Sequence, residues 1–118
     1  MQIDQLARVT SVSISTIRHY ENVGLLPPRH DQKYNEYSEP HVHAIKLVSM
    51  AQNIGLSLRE IISVLAQNDA ENSDTRLNRA LMLLTKHRNK LNERSALDDS
   101  KSRSLNSLDR ELRQLMAP

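Results

Sequence analysis

The chain has 118 residues, 38% of them hydrophobic, with neither Phe nor Trp, so any core must be small and built from Leu, Ile, Val, Ala and Met. Its formal net charge of +2 is mildly basic, which permits nucleic-acid binding without requiring it. Having no cysteine excludes disulfides, thiolate metal sites and thiol redox switches. No apolar run approaches membrane-spanning length and nothing reads as a signal peptide, so a cytoplasmic location and no membrane partner are expected.

Ile3, Leu6, Ala7 and Val9 have the spacing of a short helix. Ser11 to Ser13 is a polar break, and Ser13 can cap a second helix by accepting a free first-turn N–H. Ile14, Ile17, Tyr20 and Val23 set the apolar side of that helix, which Gly24 stops. Leu25-Leu26-Pro27-Pro28 then leaves in extended form.

Residues 29–37 are polar, with Tyr34 and Tyr37 near their end. Short strands around a turn at Asp31-Gln32-Lys33 are expected there. Helix resumes at Ser38, an N-cap with Pro40 just inside. Val42, Ile45, Leu47, Val48 and Ala51 form its buried side, up to Gly55. Ser57 and Glu60 make a capping box for a fourth helix carrying Leu58, Ile61, Ile62 and Leu65.

A polar linker is expected over 67–73. Leu77, Leu81, Leu84 and Leu91 then form a narrow stripe, interrupted by Arg88. Leu97 is the one anchor between Ser95 and Ser104, before Leu105, Leu108, Leu112 and Leu115 resume the stripe. A kink, a short break or a polar stretch of one helix would each fit the weak middle. The favoured reading is one long coiled-coil helix over 74–118. Its leucines either pair two copies of the chain or pack on the head, and pairing is preferred because the head can close its own core.

Two short helices joined by a tight polar turn form a helix-turn-helix arrangement. Arg18, Ser15 and Thr16 suit a helix in the major groove, because guanidinium and hydroxyl groups bond phosphates and base edges. The hairpin would be a wing, with Arg29, Lys33, Tyr34 and Tyr37 reaching the backbone. The two tyrosines could equally pack the wing on the third helix. Tyr20 can serve the core while its hydroxyl points outward.

Val12-Ser13 through Arg18-His19-Tyr20-Glu21, with Gly24-Leu25-Leu26-Pro27, resembles the N-terminal domain of MerR-family regulators. Their pattern there is roughly V-S-x-x-T-[LI]-R-[YH]-Y-E-x-x-G-L-[LI]. The likeness runs on through Tyr34 and Tyr37 and through Gly55-Leu56-Ser57-Leu58-Arg59-Glu60-Ile61, and so spans residues 1 to 66.

The resemblance implies a mainly α fold. It comprises a winged helix-turn-helix domain over 1–66 (four helices and a short β-hairpin wing), a linker over 67–73, and a long dimerisation helix over 74–118. It implies a homodimer, paired through antiparallel C-terminal helices, on a palindromic promoter operator in double-stranded DNA. Such a dimer bends and untwists the operator so that RNA polymerase can use it. Ser13, Ser15, Thr16, Arg18, His19 and Tyr20 would approach the major groove. Arg29, Lys33, Tyr34 and Tyr37 would serve the wing, and Leu77, Leu81, Leu84 and Leu91 the dimer.

The family wing usually reads G-Y-R where this chain has Lys33-Tyr34-Asn35, and Ala44 stands where an arginine is common. In residues 1–66 six basic residues (Arg8, Arg18, Arg29, Lys33, Lys46, Arg59) balance six acids (Asp4, Glu21, Asp31, Glu36, Glu39, Glu60), so that half is formally neutral. Each missing phosphate contact lowers affinity and flattens the salt dependence.

The neutral head leaves a second class open, a protein-binding adaptor such as a chaperone modulator. A third is an architectural or partitioning DNA-binding protein. No nucleophile–base pair, phosphate loop or paired-carboxylate cleft is present, so neither catalysis nor a cofactor is expected. His41 and His43 lie two apart and do not share a helix face, so with His30 they make no expected metal site.

Overall fold

The computed structural model describes residues 1–27, 36–65 and 73–116. Among them every regular element is a helix: α1 (Ile3–Thr10), α2 (Ile14–Asn22), α3 (Glu39–Asn53), α4 (Leu58–Leu65), α5 (Ser73–Glu93) and α6 (Asp99–Met116). They group into two compact units, Met1–Leu47 and Val48–Pro118, with α3 running through the boundary.

In the first unit α1 packs on α2. Leu6 and Ile17 are fully buried, joined by Tyr20, Leu25, Leu26, Tyr37, His41 and Ile45. The turn between the helices is tight because Ser11 takes the left-handed region at φ 58° and the Val12 N–H closes onto the Ala7 carbonyl at 3.2 Å. Ser13 caps α2 as its sequence position implies, its Oγ accepting the Thr16 N–H at 3.2 Å. Gly24, at φ 82°, ends that helix in the backbone region where a side chain is costly.

α3 starts with a cap that departs from the usual pattern. The Ser38 N–H donates to His41 Nδ1 at 3.1 Å, so an imidazole stands where a capping box carries Glu or Gln. Nδ1 is therefore the acceptor, and Nε2–H donates to the Pro27 carbonyl at 3.0 Å. His41 is 2% exposed, so these partners satisfy a polar group that would be costly to bury alone.

In the second unit α5 packs on both α4 and α6. Ser57 and Glu60 form the expected reciprocal box: Ser57 N–H to Glu60 Oε1 at 2.9 Å, Glu60 N–H to Ser57 Oγ at 3.1 Å. Ile54, Ile61, Val64, Leu77, Ala80, Leu84, Leu105, Leu108 and Leu112 are buried. The Asn53 amide donates to the hydroxyls of Ser100 and Ser104 at 3.1 and 3.0 Å, tying the end of α3 to α6.

Two expectations about the fold are corrected. The β-hairpin wing has no strand among the described residues. Residues 28–35, where most of it was expected, lie outside them. Tyr37, the last residue assigned to it, leads directly into the α3 cap, and its N–H bonds the Met1 carbonyl at 2.8 Å. The single coiled-coil helix over 74–118 is instead two helices of 21 and 18 residues packed on each other. Ser95 turns left-handed at φ 53°, and the Ala96 N–H closes α5 onto the Leu91 carbonyl at 2.8 Å. Asp98 then opens α6, its Oδ1 accepting the Lys101 N–H at 2.8 Å. The linker expected over 67–73 lies outside the described residues, apart from Ser73, which opens α5.

Candidate nucleic-acid interface

α2 divides by face, except that Ile14, expected on its apolar side, is 39% exposed. Ile17 and Tyr20 point inward, at 0% and 5% exposure, while Ser13, Ser15, Arg18 and His19 are exposed and Thr16 is half-buried. Ser15, Arg18 and Asn22 follow i, i+3, i+7 spacing and share the outer face. The hydroxyls of Ser13, Ser15 and Thr16 cluster at the start of the helix, with Ser13 Oγ 3.3 Å from Ser15 Oγ and 2.8 Å from Thr16 Oγ1. These groups, one guanidinium and one imidazole can donate to phosphates and base edges. Tyr20 belongs to the core by its ring.

Tyr37 has a different role from a solvent-facing wing tyrosine. It is 3% exposed, its hydroxyl donates to Glu21 Oε1 at 2.7 Å, and its ring meets His41 edge-on at 5.2 Å between centroids. It therefore ties the last turn of α2 to the start of α3. Arg29, Lys33 and Tyr34 lie outside the described residues. Arg8 pairs with Asp4 one turn away at 3.7 Å, an exposed contact that contributes little.

Sequence reasoning did not anticipate the Tyr37–Glu21 bond or the main-chain role of His41. The second had a faint signal: His41 sits three residues after Ser38, the third position of a capping box. Among the described residues no group of three His, Asp or Glu side chains is placed to hold a metal ion. No helix among them is long and apolar enough to cross a membrane.

The four leucines assigned to pairing divide by burial. Leu77 and Leu84 are buried within the chain, at 7% and 6% exposure, whereas Leu81 and Leu91 are half-buried. Met82, beside Leu81 on α5, is 72% exposed.

Residues 1–68 match the model of the MerR HTH family regulatory proteins. An HTH-type transcriptional regulator, a ZntR homolog of Haemophilus influenzae, is 33% identical over 84 residues, covering 69% of this chain and 62% of the relative. The HTH-type transcriptional regulator CueR of Vibrio cholerae is 36% identical over 67 residues, covering 55% and 48%. This chain thus spans about half to three-fifths of the length of such relatives. Among solved structures, that of a MerR family transcriptional regulator from Listeria monocytogenes aligns with a TM-score of 0.62 and 29% identity, covering 95% of this chain and 83% of the other.

Proposed function

Because the chain belongs to the MerR HTH family of regulatory proteins, we propose that it is a homodimeric transcriptional regulator that binds a palindromic operator in double-stranded DNA. The observation that carries this reading is the outer face of α2, whose polar side chains stand exposed over a buried Ile17 and Tyr20. Ser13, Ser15, Thr16, Arg18 and His19 approach the major groove, and Tyr20 supports them from the core. Arg29, Lys33 and Tyr34 reach the DNA backbone, and Tyr37 serves the interface by fixing Glu21 at the end of α2. Residues 1–66 act as the DNA-binding head, and residues 74–118 supply dimerisation. Leu81 has surface for a second copy to cover, while Leu77 and Leu84 hold α5 from inside. The dimer bends and untwists its promoter for RNA polymerase, deformation energy being offset by phosphate contacts at both ends. No catalysis is involved, in keeping with a family of regulators.

The test is a gel-shift titration on duplexes from the protein's own promoter region. Arg18→Ala should weaken specific binding by about 1–3 kcal/mol without changing thermal stability. Unchanged affinity in the folded variant would remove Arg18 from the interface. The formal neutrality of residues 1–66 favours a second reading, a protein-binding adaptor on the same head. Absence of specific duplex binding at moderate salt would select it.

A further inference from the structure

Within residues 48–118 a cavity of about 180 Å³ lies against the turn between α3 and α4 and the last two turns of α5. Its walls are Ile54, Gly55, His87, Lys90, Leu91 and Arg94. The four α5-side residues follow i, i+3, i+4, i+7 spacing and so form one stripe. His87 is the floor. It is 8% exposed, its Nε2 makes no hydrogen bond among the described residues, and that nitrogen faces Glu60 Oε2 at 3.6 Å. Its Nδ1 faces Gly55, where a Cβ would stand only 3.3 Å away. Glycine thus leaves space over the imidazole that any other residue would narrow.

Lys90 and Arg94 are exposed at the rim, and among the described residues neither pairs with an acidic side chain. Two like charges one turn apart repel mildly. The carbonyl ends of α3 and α5 also meet here and contribute about half a negative charge each. Together with the Glu60 carboxylate behind His87 they offset the two cations overall, so the positive charge is concentrated at the rim, where Lys90 and Arg94 stand. Nor are these cations occupied in satisfying the helix ends. Backbone bonds already close them: Gly55 N–H to Gln52 O and Leu56 N–H to Ala51 O at 3.0 and 3.1 Å, and Ser95 N–H to Asn92 O and Ala96 N–H to Leu91 O at 3.1 and 2.8 Å. Ile54 and Leu91 add apolar wall. The volume equals that of about six water molecules in the liquid.

We propose that this cavity binds a small organic carboxylate, its anionic end held by Lys90 and Arg94 and its short apolar body against Ile54 and Leu91 over His87. It would give a cysteine-free chain a ligand site that needs no thiolate.

The full chain is titrated with sodium propionate, inorganic phosphate and sodium chloride at matched ionic strength, following the His87 imidazole resonances by NMR. The imidazole signals are assigned by a His87→Asn variant. Propionate should give a saturable shift and chloride none. The double variant Lys90→Gln/Arg94→Gln, altered only at exposed positions, should keep its thermal stability and bind propionate about tenfold or more weakly, as expected for loss of charge-assisted bonds. A propionate shift that grows linearly like that of chloride overturns the proposal. So does equal affinity in the double variant, or saturation by phosphate alone.

Discussion

Single residues in this chain act mainly through the backbone. Gly55 sits at φ +98°, and a Cβ there would lie 3.3 Å from His87 Nδ1. Gly55→Ala therefore adds left-handed strain to a close contact and should lower stability by roughly 1–2 kcal/mol in urea denaturation. An unchanged midpoint would show that the α3–α4 turn relaxes freely. Glu60 acts through its charge. The Ser57 N–H bond holds its carboxyl below the ordinary 4.5, desolvation opposes this, and the neighbouring His87 adds to the lowering. A depressed carboxyl pKa stabilises the fold above the unfolded value and loses that contribution as pH falls through the folded one. Glu60→Gln keeps an acceptor for Ser57 but no charge. The wild type should be the more stable protein at neutral pH, and the gap should close as pH drops below about 4.5, read from urea midpoints across pH. A gap that stays constant to low pH would contradict the assignment. Local cues of this kind were readable from spacing alone, as Ser57 and Glu60 were. For His41 only the bond from Ser38 is local, because its second partner, the Pro27 carbonyl, lies fourteen residues earlier and is brought close only by folding.

At the scale of elements, α2 is specified by its own ends. Ser13 Oγ caps it and Gly24 stops it, so its limits depend little on the rest of the molecule. Its cap also lies on the proposed DNA face, and the two roles can be separated. Ser13→Ala should cost about 1 kcal/mol of stability. Ser13→Asp should restore the cap but set a negative charge against phosphate, so stability should return while duplex affinity falls. Calorimetry and gel shift together test this. Restored affinity in Ser13→Asp would place Ser13 away from the DNA. The C-terminal helices were misjudged because a leucine stripe reports which face is apolar and says less about continuity. Ser95 in the left-handed region and Asp98 as cap break the stripe, and Leu105, Leu108 and Leu112 then become buried within one chain. Asp98 preceding Lys101 by three was the signal available for that break. Ser95 offered none, since a serine rarely adopts such a conformation.

For the whole molecule, that folding-back changes what pairing must use. Each buried leucine stabilises the chain by roughly 1.5–3 kcal/mol, so Leu77 and Leu84 are committed to the chain's own core. Leu84→Glu should therefore unfold the C-terminal unit. Met82→Glu, at a position 72% exposed, should leave circular dichroism unchanged and convert the proposed dimer to monomers in light scattering. A dimer that persists in folded Met82→Glu would move pairing off this face of α5. The sequence by itself determined the helix-turn-helix, the caps at Ser13 and Ser57, and the stops at Gly24 and Gly55. These depend on backbone groups within a few residues of one another, and that short range is what a linear pattern records. Only the tertiary structure decided that Tyr37 bonds Glu21, that His41 joins Pro27 to the α3 cap, and that the leucine tail folds into two packed helices. Each of those depends on groups far apart in the chain, whose meeting is set by which apolar surfaces are buried together.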